Sequence, residues 1–145
     1  MRKENGFTLI ELVIAMCIAA ILSAIAFSMY QRSVTETRRT QAKTALMDLA
    51  SREQSLYATT NTYSATPSAL GYTGSAFPMD VGDGYYEVNV TVTPATVTEP
   101  AAFELTATPI GTQASDMECA SFGLNNLGQQ SATSASGENT ESTCW

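Results

Sequence analysis

Glu11 is a carboxylate within an otherwise apolar run. Across residues 7–27 it is the only charged residue, and the other polar side chains are those of Thr8 and Ser23. A carboxylate at membrane depth costs on the order of 2.5–3.5 kcal/mol on insertion, so an acid in such a run indicates a function beyond anchoring. The simpler alternative is that Glu11 only stabilises the positive N-terminal end of its own helix.

The sequence contains no recognisable catalytic motif. The chain contains no histidine, which excludes a His-dependent triad and a His zinc site, and Lys43 is the only lysine beyond residue 6. A glycine-rich phosphate loop is also absent from the sequence. We therefore expect no enzyme activity and no cofactor, and we look for function in contacts with other macromolecules.

Three cysteines offer disulfide chemistry. Cys119 and Cys144 lie in the C-terminal half with 24 residues between them, whereas Cys17 lies in the apolar run. In an oxidising compartment a Cys119–Cys144 bridge is the natural pairing, and two free thiols are the alternative. Cys17 is most simply a small apolar side chain, with a bridge between two apolar runs as the alternative.

The stretch "DVGDG" at residues 80–84 raises the question of calcium binding. Asp80 and Asp83 are the candidate ligands, and Glu87 is the nearest further carboxylate. Calcium requires six to eight oxygen ligands, which this stretch does not supply. A Gly-Asp turn before a strand explains the same residues, so we expect no metal site here.

Charge and length define how the chain is placed in the cell. The apolar run of 21 residues would form a helix of about 31 Å, which is enough to cross a bilayer. Arg2 and Lys3 precede it and favour a cytoplasmic N-terminal end. After Arg52 the chain has ten acidic residues and no basic one. We expect a protein that crosses the membrane once and whose acidic C-terminal part lies outside the cytoplasm.

The helical pattern continues beyond the apolar run, which argues against a cleaved secretory signal. Neither glycine nor proline occurs between residues 7 and 66. Apolar residues then recur every three or four positions, which predicts an amphipathic helix over residues 31–59. This apolar face consists of Ala42, Ala45, Leu46, Leu49, Leu56 and Tyr57. A single helix of about 50 residues, or about 75 Å, requires partners along its length.

The C-terminal half has the pattern of a small sheet. Residues 60–84 are rich in Gly, Pro, Ser and Asn and are expected to form a connecting loop. Strict alternation in "YYEVNVTV" and "FELTATP" predicts two half-buried strands, and Pro109 ends the second. "ASFGL" and "GQQSAT" predict two more strands joined by an Asn-led turn. The fold class is therefore α+β, with a long helix on an antiparallel sheet over residues 85–145.

The stretch "GFTLIELVIAM" resembles the N-terminal signature of type IV pilins and pseudopilins. The resemblance implies that residues 1–6 are a leader, which a prepilin peptidase removes after Gly6, and that Phe7 becomes the N-methylated first residue. Residues 7–30 would form the hydrophobic stem that packs against other stems in a filament. Glu11 matches the acid that the family places four residues after the new terminus.

This resemblance gives Glu11 a partner. Cleavage would create a cationic amine at Phe7, and Glu11 of a neighbouring subunit could neutralise it and fix the stagger between subunits. Loss of one member would leave a buried unpaired charge, at a cost of about 3–5 kcal/mol.

The C-terminal half is similar to minor pilins of the PilE and ComP group. The residues that carry this resemblance are "FELTATPIGTQASDMECASFGLNNLGQQSAT" and the final "CW". It implies a type IV pilin fold in which Cys119 and Cys144 are bridged and close the C-terminal region. Many major pilins have a helix-breaking proline near the position of Ser28, so its absence favours a minor subunit or a stem that stays helical.

Together these features predict a structural, minor subunit of a type IV pilus. The expected partners are other pilin subunits, the prepilin peptidase and the inner-membrane assembly platform, and the final location is the extracellular pilus. A type II secretion pseudopilin, a DNA-uptake receptor pilin and a monomeric membrane-anchored domain are the alternatives.

Binding of nucleic acid is not expected, because phosphate contacts require Lys and Arg and none follows Arg52. The basic side chains on the long helix are instead expected to face acidic surfaces of sister subunits. These residues are Arg38, Arg39, Lys43 and Arg52.

Overall fold

The structure is a computed structural model that describes residues 8–145. Its two α-helices are α1 (Leu9–Thr60) and α2 (Glu141–Cys144), and short 3-10 helices cover Pro67–Leu70 and Gly111–Ser115. The strands are β1 (Met79–Val81), β2 (Tyr86–Thr93), β3 (Ala102–Pro109), β4 (Ser121–Asn125) and β5 (Gln130–Thr133). The chain divides into two compact units with the boundary after Val34.

The first unit contains the described part of the hydrophobic stem, residues 8–30, at the N-terminal end of the chain. Every residue from 8 to 33 is exposed, and the large apolar side chains between Leu9 and Tyr30 are 44–82% exposed. Ser23 and Ser28 donate hydrogen bonds to backbone carbonyls one turn earlier, so their hydroxyls are satisfied within the helix. By length and composition this part of the chain can cross a membrane.

The second unit, Thr35–Trp145, contains the sheet and the rest of α1. The five strands are antiparallel and adjacent in chain order, from β1 to β5. The register places Val88 opposite Ala107 and Leu105 opposite Leu124, so the apolar residues of neighbouring strands share one face. Strict alternation in the sequence predicts this arrangement, and the structure confirms it.

The core lies between α1 and the inner face of the sheet. Ala42, Leu46 and Leu49 of the helix are buried, as the three- and four-residue spacing predicts. On the strands the buried alternation runs through Tyr86, Val88 and Val90 of β2 and Phe103, Leu105 and Ala107 of β3. The predicted α+β fold, a long helix on an antiparallel sheet, is confirmed.

The loop between β4 and β5 follows the predicted Asn-led turn. The side-chain carbonyl of Asn125 accepts hydrogen bonds from the backbone N–H groups of Leu127 and Gln129. The segment expected to be a connecting loop, residues 60–84, additionally contains a 3-10 helix and strand β1. With three residues, β1 is too short to produce an alternation that stands out in the sequence.

The outer edge of β5 is covered by the C-terminal segment, residues 139–145. The N–H of Thr140 donates to the carbonyl of Ala132 at 2.9 Å, and the indole N–H of Trp145 donates to the carbonyl of Ser131. The ring of Trp145 also lies edge-on against Phe122, with ring centroids 6.0 Å apart. The carbonyls of Ser131 and Ala132 are therefore bonded to the C-terminal segment of the same chain.

Candidate functional site

Glu11 lies in the first turn of α1, where Thr8 precedes the first helical residue. The hydroxyl oxygen of Thr8 accepts the N–H of Glu11 at 3.3 Å, and the hydroxyl donates to carboxylate Oε2 at 3.5 Å. This is the arrangement of a helix N-cap, and it matches the simpler interpretation of the acid. The other oxygen, Oε1, accepts no hydrogen bond from residues 8–145, so Glu11 can still bind a second group.

The rest of the stem presents only apolar and small side chains around this acid. Cys17 is exposed and its thiol is free, and its role as a small apolar side chain stays a prediction. Gly6 and Phe7, the predicted processing residues, lie outside the described residues.

Cys119 and Cys144 form a disulfide, with their Cα atoms 5.9 Å apart. Cys119 precedes β4 and Cys144 ends α2, so the bridge closes the C-terminal region as the predicted fold requires. The backbone of each cysteine also forms a hydrogen bond with a charged side chain. The N–H of Cys119 donates to Asp116 at 3.3 Å, and the ammonium of Lys43 donates to the carbonyl of Cys144 at 2.9 Å.

Arg39 joins α1 to the loop that carries Cys119. Its guanidinium is bidentate to Asp116, with both N–O distances 2.7 Å, and a third bond of 3.0 Å reaches Glu118. Only 8% of Arg39 is exposed. Burial by itself would raise the pKa of Asp116, but the hydrogen bonds and charge of Arg39 outweigh it and hold that pKa below its usual range. The pKa of Arg39 is raised, chiefly by the hydrogen bond to Asp116.

Comparison with known families identifies the chain. Residues 1–27 match the family described as "Prokaryotic N-terminal methylation motif". Residues 28–123, more than half of the chain, match "Type IV minor pilin ComP, DNA uptake sequence receptor". The chain is a member of the ComP family of type IV pilins. The match assigns the chain to the type IV pilins, and its helix Leu9–Thr60 is long and apolar enough to cross a membrane.

A curated relative of this pilin is the "Type IV major pilin protein PilA" of Myxococcus xanthus (strain DK1622). The two proteins are 33% identical over 70 residues. That alignment covers 48% of this chain, and it spans only about a third of the relative, 32% of its length. The similarity supports the pilin assignment and carries no further detail of function to this chain.

The other basic side chains of the pilin's second unit also make contacts within that unit. The guanidinium of Arg38 lies 3.6 Å from the centre of the Tyr85 ring and bonds to Thr112 and Gln113. Arg52 bonds to Asp48 at 2.9 Å and to the carbonyl of Leu70 at 3.1 Å. These basic side chains are therefore bonded within the chain, and their expected contact with acidic surfaces of sister subunits stays a prediction. Helical spacing shows where a cation lies along the helix, but it does not show what folds over it.

Asp80 and Asp83, the candidate calcium ligands, lie in β1 and in the turn between β1 and β2. Asp83 has a positive φ of 58° and accepts a hydrogen bond from the Gln41 amide at 3.1 Å, as expected of a turn residue. Asp80 is exposed and lies opposite Glu87 in the strand register. Within residues 8–145 no group of three or more His, Cys, Asp or Glu side chains is arranged to hold a metal ion.

Two buried polar residues on the apolar face of α1 were not predicted. Arg39 and Glu53 continue the spacing of Ala42, Leu46 and Leu49 at either end of the buried stripe. Their burial could have been predicted from the helical spacing, because each charged residue occupies a position on the apolar face of the helix. The partners, such as Asp116, are too distant in sequence for this spacing to identify them.

Proposed function

We propose that this pilin is a minor subunit, made as a prepilin that crosses the inner membrane once. Its second unit would lie in the periplasm before the subunit joins the pilus. The match to the N-terminal methylation motif is the observation that carries this proposal, because that motif spans Gly6, Phe7 and Glu11. Prepilin peptidase would cleave after Gly6 and N-methylate Phe7, and an inner-membrane platform would then insert the subunit into the filament.

In the assembled filament, Glu11 would bind the terminal amine of Phe7 from a neighbouring subunit. Support comes from the position of Glu11 in the first helical turn and from its Oε1, which residues 8–145 leave without a hydrogen bond. The cap by Thr8 does not compete with this role, because it uses the other carboxylate oxygen, Oε2.

A minor rather than a major role is supported by the continuity of α1 through Ser28. The corresponding division of the chain is a leader over residues 1–6, a stem over 7–30, an amphipathic helix over 31–59, a connecting segment over 60–84 and a sheet with its disulfide over 85–145. Counting subunits in purified pili by quantitative mass spectrometry would distinguish a minor subunit from a major one.

Processing tests the proposal directly. Wild-type chain from sheared pili should begin at an N-methylated Phe7 by mass spectrometry. Gly6→Leu should retain the leader and stay in the membrane fraction, because a bulky side chain at the cut obstructs the peptidase. Thr8→Ser, a mild change on the other side of the cut, serves as the matched control and should be processed normally.

A normally shortened Gly6→Leu chain would contradict this cleavage site. Mature wild-type chain that is found in membranes but never in sheared pili would instead fit a type II secretion pseudopilin.

DNA uptake is the second candidate function, favoured by the description of the matching family as a DNA uptake sequence receptor. The charges of this chain oppose it. The second unit has four basic and twelve acidic residues, a formal charge of −8, and its basic groups already make internal contacts. A groove of about 610 Å³ over β3–β5 includes Glu104 and Glu141 and no basic side chain.

We therefore expect no binding of duplex DNA at physiological salt, since phosphate contacts supply most of the affinity for DNA. Titration of fluorescently labelled duplexes of random and uptake-sequence composition into the full chain would measure this. Micromolar or tighter binding that weakens steeply with salt would establish the receptor role and overturn our expectation.

A further inference from the structure

Glu53 is a fully buried acid with an unsatisfied oxygen. Its exposure is 0%, and it lies on the same stripe of α1 as the core residues Leu46 and Leu49. Oε2 accepts the backbone N–H of Ser64 at 3.1 Å, whereas Oε1 has no hydrogen-bond partner among the described residues. A buried polar atom without a partner is costly, and the cost is far larger when the group is charged.

The surroundings of Glu53 supply no positive charge. The neighbouring cation, Arg52, is directed to Asp48 and to the carbonyl of Leu70. The titratable group that interacts electrostatically with Glu53 is the phenol of Tyr63, which follows the helix and also interacts with the phenol of Tyr57 on α1. These two rings stack with centroids 4.5 Å apart, and Tyr63 meets the apolar Phe103 of β3 at 4.9 Å.

The hydrogen bond from Ser64 joins Glu53 of α1 to the segment that follows the C-terminal end of this helix. Residues 61–66, which we call the post-helix segment, run from the end of α1 to the 3-10 helix that begins at Pro67. Within this segment the Ser64 amide is bonded to Glu53, and the Ser64 hydroxyl accepts the N–H of Thr66. Release of Glu53 would therefore free the Ser64 amide and weaken the segment's attachment to the helix.

We propose that Glu53 is a proton-controlled latch, which holds the post-helix segment against α1 when its carboxyl is neutral and loosens the segment when the carboxyl is ionised. Burial without a counter-charge raises the pKa of Glu53, and the bond from Ser64 opposes that effect without cancelling it. In an open segment the carboxyl would contact water and regain an ordinary pKa near 4.3.

The direction of the pH dependence follows from these two states. The closed segment is fully favoured below the pKa of the open state, where Glu53 is neutral in both states. As the pH rises toward the higher pKa of the closed state, ionisation favours opening. The opening equilibrium grows about tenfold for each unit that separates the two pKa values and then becomes constant.

Hydrogen exchange of the Ser64 amide tests this latch in the full-length chain in detergent micelles. After correction for intrinsic exchange, protection in the wild type should fall as the pH rises from about 4 to 8. Glu53→Gln keeps the carbonyl acceptor but cannot ionise, so its protection should not change over this range. Glu99→Gln, which removes an exposed loop carboxylate, should behave like the wild type.

If the protection of the Ser64 amide depended on pH in the same way in the wild type and in Glu53→Gln, the proposal would be overturned. A carbon-13 NMR titration of the Glu53 carboxyl gives a second reading that needs no variant. Its midpoint should lie above that of an exposed glutamate, and a midpoint at or below it would overturn the latch. Both measurements are independent of pilus assembly, so their outcome does not depend on the proposed function.

Discussion

Glu11→Leu is expected to prevent incorporation of the pilin into filaments while leaving it in the membrane. Removal of the acid makes insertion easier by on the order of 2.5–3.5 kcal/mol. In the filament, however, the amine of Phe7 would be buried without a counter-charge, at a cost of about 3–5 kcal/mol per contact. Cleavage after Gly6 should continue, because the cut lies five residues upstream and the apolar run remains.

The measurement is a fractionation that compares membranes with sheared pili. Thr8→Ala is the informative control, because it removes the hydrogen bonds of the helix start but keeps the acid. Loss of an N-cap costs about 1 kcal/mol, so Thr8→Ala should still be incorporated. If both variants fail equally, the cap and not the charge pair is the important role of Glu11. Equal incorporation of Glu11→Leu and the wild type would contradict the charge pair itself.

Arg39→Met should destabilise the second unit by about 3–5 kcal/mol, because Asp116 would remain buried without its cation. The side chain of Asp116 is only 5% exposed, and it also accepts the N–H of Cys119. Denaturant unfolding of the full chain in micelles, followed by the fluorescence of Trp145, would measure the loss. Asp116→Leu added to Arg39→Met should recover much of the stability, since no buried charge would remain.

Arg52→Met provides the matched control for this experiment. Its pair with Asp48 is solvent-exposed, with side chains 42% and 51% accessible, and it also donates to the neutral carbonyl of Leu70, so Arg52→Met should cost only about 1–2 kcal/mol. The contribution of Arg39 should also depend on pH. Because the pKa of folded Asp116 is lowered, the stabilisation is present above its unfolded pKa near 3.9 and is lost as the pH falls through the folded value. If Arg39→Met and Arg52→Met lowered the free energy of unfolding by similar amounts, the difference between the buried and the exposed ion pair would be contradicted.

Periodicity in the sequence predicted those elements whose residues repeat over several turns or strand positions. The stem, the amphipathic helix and the alternating strands β2 and β3 are all of this kind. Strand β1 was not predicted, because three residues cannot show a convincing alternation and because its pairing with β2 depends on tertiary contacts. In the long elements the local pattern of apolar residues matches the burial in the structure. Strand β1 has no such local pattern, and it forms only because β2 pairs with it in the folded chain.

Side-chain partners were the main feature that sequence could not supply. Arg39 and Asp116 are 77 positions apart, and Lys43 and Cys144 are 101 apart. The helical spacing correctly placed the cations on α1, but the loops that cover them come from the far end of the chain. For Glu11, by contrast, the cap residue Thr8 lies three positions away, and the local sequence "TLIE" contains both groups.

The covered edge of β5 has a consequence for the proposed assembly into filaments. An open strand edge is a template on which another chain can add a strand, and crowded subunits would make such sheet-to-sheet growth a hazard. Here the C-terminal segment occupies the backbone of Ser131 and Ala132, and the opposite edge strand has only three residues and exposes Asp80. Neither edge favours amyloid-like strand addition, so in the proposed filament the sheet would remain a closed unit and the exposed apolar stem would be the surface that packs against other subunits.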